Sequence, residues 1–122
     1  MKDIFKDLIE TEGVCGIIVL DAAGALITSR FSNLHLNLKA MVERFSWEPL
    51  ILELDEFMES DFVFDKKRFY IRKLKNAYLI VIMDDIASIS MVRLNCEILL
   101  PELAALNNTG SRFGRMLKKK IF

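Results

Sequence analysis

Histidine and tryptophan occur once each, cysteine and proline twice, and glycine five times in 122 residues. With so little Gly and Pro the chain is not a linker or a low-complexity segment. The single histidine, His35, has no Cys or acid at ligand spacing, which leaves no metal-binding motif around it. Cys15 and Cys96 lie far apart in apolar runs and read as buried, reduced thiols rather than a disulfide pair. Acids and bases number 17 each, so net charge gives no electrostatic case for nucleic acid. The longest apolar runs, Val14–Leu20 and Ala77–Met83, fall far short of the roughly 20 residues of a helical membrane span. The N-terminal MKDIFKDLIETEG mixes acids with apolar residues and has no small-residue cleavage site, so a cytoplasmic location is expected. No phosphate-binding glycine motif occurs, nor any Ser/His/Asp triad signature. No catalytic residues, cofactor or metal are expected.

What is present is a large apolar fraction, 52% of residues, ample for the core of one domain. Ile4, Phe5, Leu8 and Ile9 recur at helical spacing, with Gly13 as a stop. VCGIIVL then reads as a central strand buried on both faces. A turn at Asp21–Gly24 leads to a second strand, Ala25–Arg30. Ser32 or Asn33 caps a helical region over residues 34–58, marked by Leu38, Met41, Val42 and Phe45. Pro49 makes it two short helices or one kinked helix, with a strand at Leu50–Leu54 as a weaker option. Phe62–Phe64 begins a further strand, and Asp65-Lys66-Lys67 turns the chain. Arg68–Leu74 follows, with Phe69 and Ile71 on a buried face and Arg68, Tyr70 and Arg72 on a wetter one. AYLIVIM is a second fully apolar, central strand. Ser88 caps a long last helix, whose stripe of Val92, Cys96, Leu99 and Leu103 is broadened by Met91, Leu94 and Ile98. So wide a face suggests burial against a sheet, and Pro101 should kink the helix near Glu97. The order α-β-β-α-β-β-β-α fits an α/β fold of the α+β type, one five-stranded antiparallel sheet covered by helices.

Charge is unevenly placed. Residues 1–62 carry twelve acids against five bases, and residues 63–122 the reverse. Glu48–Asp61 holds six acids and no base, and Lys66–Lys75 six bases and no acid. The two stretches read as solvated faces, or as patches that meet each other or a partner. Residues 111–122, SRFGRMLKKKIF, form a basic amphipathic tail after a domain at 1–110. Its pattern fits a membrane-surface or partner-docking helix, or a solubilising terminus. Asp84 and Asp85 at a strand end are expected to solubilise a turn. Trp47 and Tyr70 are candidate interface anchors, with core packing the commoner fate of such residues.

EGVCGIIVLDAAGALITSR resembles the first hairpin of the roadblock/dynein-light-chain family. RFYIRKLKNAYLIVIMDD resembles its last two strands, and SISMVRLNCEILLPEL its closing helix, so the likeness covers about residues 3–106. The resemblance implies a profilin-like fold without an enzyme active site. It implies dimers joined edge-to-edge through the third strand, with second helices packed together. Prokaryotic members regulate Ras-like small GTPases, and eukaryotic members serve as dynein subunits or GTPase scaffolds. Pro49 departs from the smooth second helix usual there, and the basic tail lies outside the pattern. The expectation is therefore a non-enzymatic homodimer that binds a small GTPase, or alternatively an adaptor that assembles a larger complex without touching one. Phe62, Val63 and Phe64 are the candidate dimer edge, and Glu53, Asp55, Glu56 and Glu59 the candidate partner contact.

Overall fold

The computed structural model describes residues 4–32, 37–54, 58–64 and 66–107. The elements run α1 (Lys6–Ile9), β1 (Val14–Asp21), β2 (Leu26–Phe31), α2 (Asn37–Arg44), α3 (Glu48–Leu54), β3 (Glu59–Phe64), β4 (Lys67–Lys73), β5 (Ala77–Met83) and α4 (Ile89–Asn107). One antiparallel sheet of five strands has the order β2-β1-β5-β4-β3. The two continuous apolar strands, β1 and β5, pair at its centre, with Ile17 opposite Val81, Ile18 opposite Ile80 and Val19 opposite Leu79. All seven residues of β5 are buried, because helices cover both faces of the sheet.

Alternation along the strands divides the core in two. Val14, Ile17, Val19, Leu79, Val81 and Met83 face α1 and α4, where Phe5, Leu8, Val92, Cys96, Leu99 and Leu103 meet them. Cys15, Ile18, Leu20, Ile80 and Ile82 face Val42, Trp47 and Ile51 of the α2–α3 region. A register shift between Val14 and Gly16 lets Val14 and Ile17, three residues apart, share the first face. Without that extra residue, every apolar side chain beyond it would change sides. Each fully buried aliphatic side chain contributes about 1.5–3 kcal/mol of transfer free energy.

The helical region after β2 is two helices. Pro49 lies in the first turn of α3, where its missing N–H breaks no helical bond. Phe45 to Trp47 make the break, and the Trp47 indole N–H donates to the Val42 carbonyl at 3.3 Å. Leu50–Leu54 is helix, not strand. The Ser88 side chain does cap α4, its Oγ accepting from the Met91 N–H at 3.4 Å. Pro101 is exposed and sits inside α4 without ending it. Of the two cap candidates for α2, Asn33 lies outside the described residues.

Two expectations are corrected. Tyr70 does not lie on a wetter face: its side chain is fully buried under α4. The broad apolar face of α4 is not all turned to the sheet, since Met91, Leu94 and Ile98 are exposed. A helix lying on a flat sheet buries only one stripe, and Val92, Cys96, Leu99 and Leu103 fill it.

Two turns require glycine. Gly13 has φ +88° and a Cβ there would stand 2.6 Å from Ala87 Cα, and Gly24 has φ +90° with 3.0 Å to Glu48 Cα. Gly13→Ala should therefore cost more than Gly24→Ala, roughly 2–3 kcal/mol against 1–2. Urea unfolding should show the midpoint falling in that order with an unchanged slope.

Candidate protein–protein interface

Among the described residues, the strand β3 closes one side of the sheet and pairs on one side only, with β4. The hairpin is made by a tight turn in which Lys66 takes φ 66°. Phe62 lies opposite Phe69, and their rings stack at 5.2 Å and 7°, which anchors the strand on the α2–α3 face. Val63 points to the other face and is 71% exposed. Met58, just before the strand, and Leu52 on α3 are also exposed. No proline or bulge interrupts β3, so its outer side keeps a row of backbone donors and acceptors. Of the expected edge residues, Phe62, Val63 and Phe64 all fall within this strand.

On the α4 side of the same edge the charges are ordered. Asp61 takes two bonds from Arg68, at 2.9 Å from Nε and 2.5 Å from Nη2. Arg93 of α4 donates to Glu59 at 2.6 Å, and Arg72 to Glu97 of α4 at 2.5 Å. Tyr70 lies among them, its hydroxyl accepting from Arg72 at 3.1 Å and its ring 5.9 Å from the Arg93 guanidinium carbon. The acidic and basic stretches of the sequence thus meet inside one chain at Asp61–Arg68, across the β3–β4 hairpin. The Arg68 bonds hold the Asp61 carboxyl below the usual carboxylate range. Burial pushes the Tyr70 phenol from 10.0 up to about 12 against the pull of Arg72. Burial likewise raises the Cys96 thiol from 9.0 to about 12. It raises Cys15 as well, although Lys67 stands 3.9 Å from its sulfur. Both thiols are buried and unbridged.

Of the acids proposed for partner contact, Glu53 and Glu59 lie on different faces. Glu53 is exposed on α3, over one face of the sheet. Glu59 is not part of the helical region: it opens β3 and turns to the opposite face, toward Arg93. Asp55, Glu56 and His35 lie outside the described residues. Trp47 and Tyr70 are core residues. Asp84 serves the turn before α4, its carboxylate accepting from the Ile86 N–H at 3.2 Å. A surface groove of about 360 Å³ lies between the β1–β2 turn and the α2–α3 junction, lined by Leu26, Val42, Phe45 and Trp47 with Glu43 and Glu48. Among the described residues no group of three His, Cys, Asp or Glu side chains stands close enough to hold a metal ion, and no helix is long and apolar enough to cross a membrane.

A five-stranded antiparallel sheet in this order, with α1 and α4 on one face and α2 and α3 on the other, is the roadblock fold. Known structures agree. Myxococcus xanthus MglB superposes with a TM-score of 0.61 at 19% identity, covering 87% of this chain and 89% of that one. M. xanthus MglC gives 0.59 at 16% identity, covering 82% and 96%. A roadblock/LC7 domain from Streptomyces avermitilis gives 0.60 at 9% identity, covering 84% and 92%. No family model and no curated protein matches the sequence.

The buried phenol gives an alkaline signature. The folded state holds the Tyr70 proton to higher pH than the unfolded chain does. Stability is therefore intact below about pH 10 and falls by roughly 1–3 kcal/mol as pH rises to about 12. Cys96 starts a similar decline near pH 9. A melting series should show Tyr70→Phe slightly less stable at neutral pH, for want of the Arg72 bond, but with a shallower alkaline decline than the parent.

Proposed function

We propose that this chain is a non-enzymatic, dimeric protein-binding module that regulates or scaffolds a Ras-like small GTPase. The observation that carries the reading is the roadblock fold itself, at near-full coverage of MglB and MglC. It joins the resemblance of the hairpin and closing segments, a family likeness that implies GTPase partnership. Dimerisation is supported by the one-sided β3 with its exposed Val63. An unpaired strand edge invites pairing with another chain, and a two-fold axis brings each edge to its copy. One MglB structure is described as a tetrameric arrangement, so assembly beyond one chain has a precedent on this fold. A GTPase switch loop changes its order with the bound nucleotide. A platform that prefers one state shifts the equilibrium only by its differential affinity, so binding should depend on the nucleotide.

Light scattering at micromolar concentration tests the dimer. A species of 14.1 kDa, one chain, would sink it. Val63→Pro should weaken the dimer by removing a backbone donor, and Val63→Lys should weaken it while keeping that donor and the fold.

Pull-downs from the native host with the GTPase loaded in each nucleotide state test the partner. Recovery of no GTPase in either state would replace this reading with that of an adaptor. Glu53, Asp55 and Glu56 remain the proposed contact or its rim, and Glu59, on the opposite face, is kept as a separate candidate. Lysine at the first three should slow association and alter its salt dependence more than it alters stability. Glu59→Lys belongs in a separate variant, because it also breaks the Arg93 pair. Unchanged binding across these variants would mean that the contact lies elsewhere.

A further inference from the structure

The groove at the α2–α3 junction has a lining suited to a cation. Glu43 comes from the last turn of α2 and Glu48 from the first turn of α3. Both side chains are exposed, and among the described residues neither forms an ion pair. No described lysine or arginine lines the groove. Its charge is therefore negative and unanswered within the described chain.

Between these two acids the sequence places two aromatic rings. Phe45 and Trp47 stand with centroids 4.6 Å apart and planes inclined by 60°. Trp47 is buried and its indole N–H is held by the Val42 carbonyl, so its ring is fixed in place. Phe45 is 46% exposed, and an open ring face attracts a cation through its quadrupole. Leu26 and Val42 add apolar surface. Across the groove the β1–β2 turn supplies Ala23, Gly24 and Ala25, whose side chains are too small to fill it. The volume of about 360 Å³ is at the small end of ligand sites, suited to one long side chain rather than a helix.

These features select arginine among cations. A guanidinium is planar, stacks on aromatic faces and forks to carboxylates, while its methylene stem lies along apolar surface. A lysine ammonium is more strongly hydrated and offers no plane to stack. A free small cation would lack the stem, and so would leave Leu26 and Val42 unused.

We propose that this groove receives an arginine side chain presented by a partner protein, with Phe45 as the stacking face and Glu43 and Glu48 as the carboxylates that recognise the guanidinium. The site does not depend on the GTPase reading, and its test contains no GTPase.

Trp47 is the single tryptophan of the chain, so its fluorescence reports on the groove directly. The probe is the capped tripeptide acetyl-Ala-Arg-Ala-amide, titrated into the full chain. A saturable change in Trp47 emission is expected. The same peptide with citrulline, which keeps the shape and loses the charge, should bind at least roughly tenfold more weakly. Glu43→Gln combined with Glu48→Gln should weaken the arginine peptide to a similar extent, and Phe45→Leu should weaken it by roughly threefold or more. Both glutamates are exposed, so the double variant retains the test if Phe45→Leu disturbs the fold. Glu10→Gln, at the end of α1 on the other face of the sheet, should leave the affinity unchanged. Equal affinity for arginine and citrulline peptides, or an unchanged affinity in the double variant, would overturn the proposal. So would an equal loss in Glu10→Gln, which means diffuse attraction to acidic surface. Lysine tripeptide binding as tightly would overturn the choice of arginine, and methylguanidinium binding as tightly would mean a free small cation instead of a partner's side chain.

Discussion

The pairing of β1 with β5 is the constraint from which the other contacts follow. These strands are far apart in sequence and apolar on both faces, so neither tolerates solvent on either side. Each face of the pair needs a helical cover. The chain supplies α1 and α4 for one and α2 and α3 for the other. With the centre occupied, β2 and the β3–β4 hairpin take the flanks. The shift at Gly16 belongs to the same constraint, since it sets which side chains of β1 meet α4 and which meet Trp47.

The β3–β4 flank is held differently. Its α2–α3 side has a stacked aromatic pair, Phe62 and Phe69. Its α4 side has a set of arginine–carboxylate bonds that ties β3 and β4 to α4 through Arg93 and Arg72. Pairs this exposed contribute little to stability individually, about 0–1 kcal/mol. Their consequence is geometric: they fix α4 across β4 and cover Tyr70. They also leave the outer side of β3 with backbone groups and Val63 to offer, rather than unpaired charge.

A fold hosts many functions, and function has to be argued from surfaces. Here two surfaces stand out, on different faces. The β3 edge is suited to a copy of itself, because strand edges are self-complementary under a two-fold axis. The outer side of α4 carries the exposed side chains of Met91, Leu94 and Ile98.

Much of the architecture is legible in the residues alone. Seven consecutive apolar residues in VCGIIVL and again in AYLIVIM identify the central strands. Asp21–Gly24 marks the first hairpin, Pro49 the division of the second helical region, and Ser88 the start of α4. Phe62–Phe64 is identifiable as strand, because short β-prone runs between turns have few other uses. Periodicity records which residues are apolar, but not how much of an apolar face its neighbour can cover. Only the packed structure therefore shows Tyr70 buried and Met91, Leu94 and Ile98 exposed. Burial of the first depends on where α4 crosses β4, and exposure of the others on the width of the contact between a helix and a sheet. The partners of the charged stretches were hidden for a related reason. Asp61–Arg68 is a local hairpin contact, but Glu59–Arg93 and Arg72–Glu97 join residues far apart in sequence. Composition cannot reveal an ion pair that exists only once the sheet has brought its two ends together.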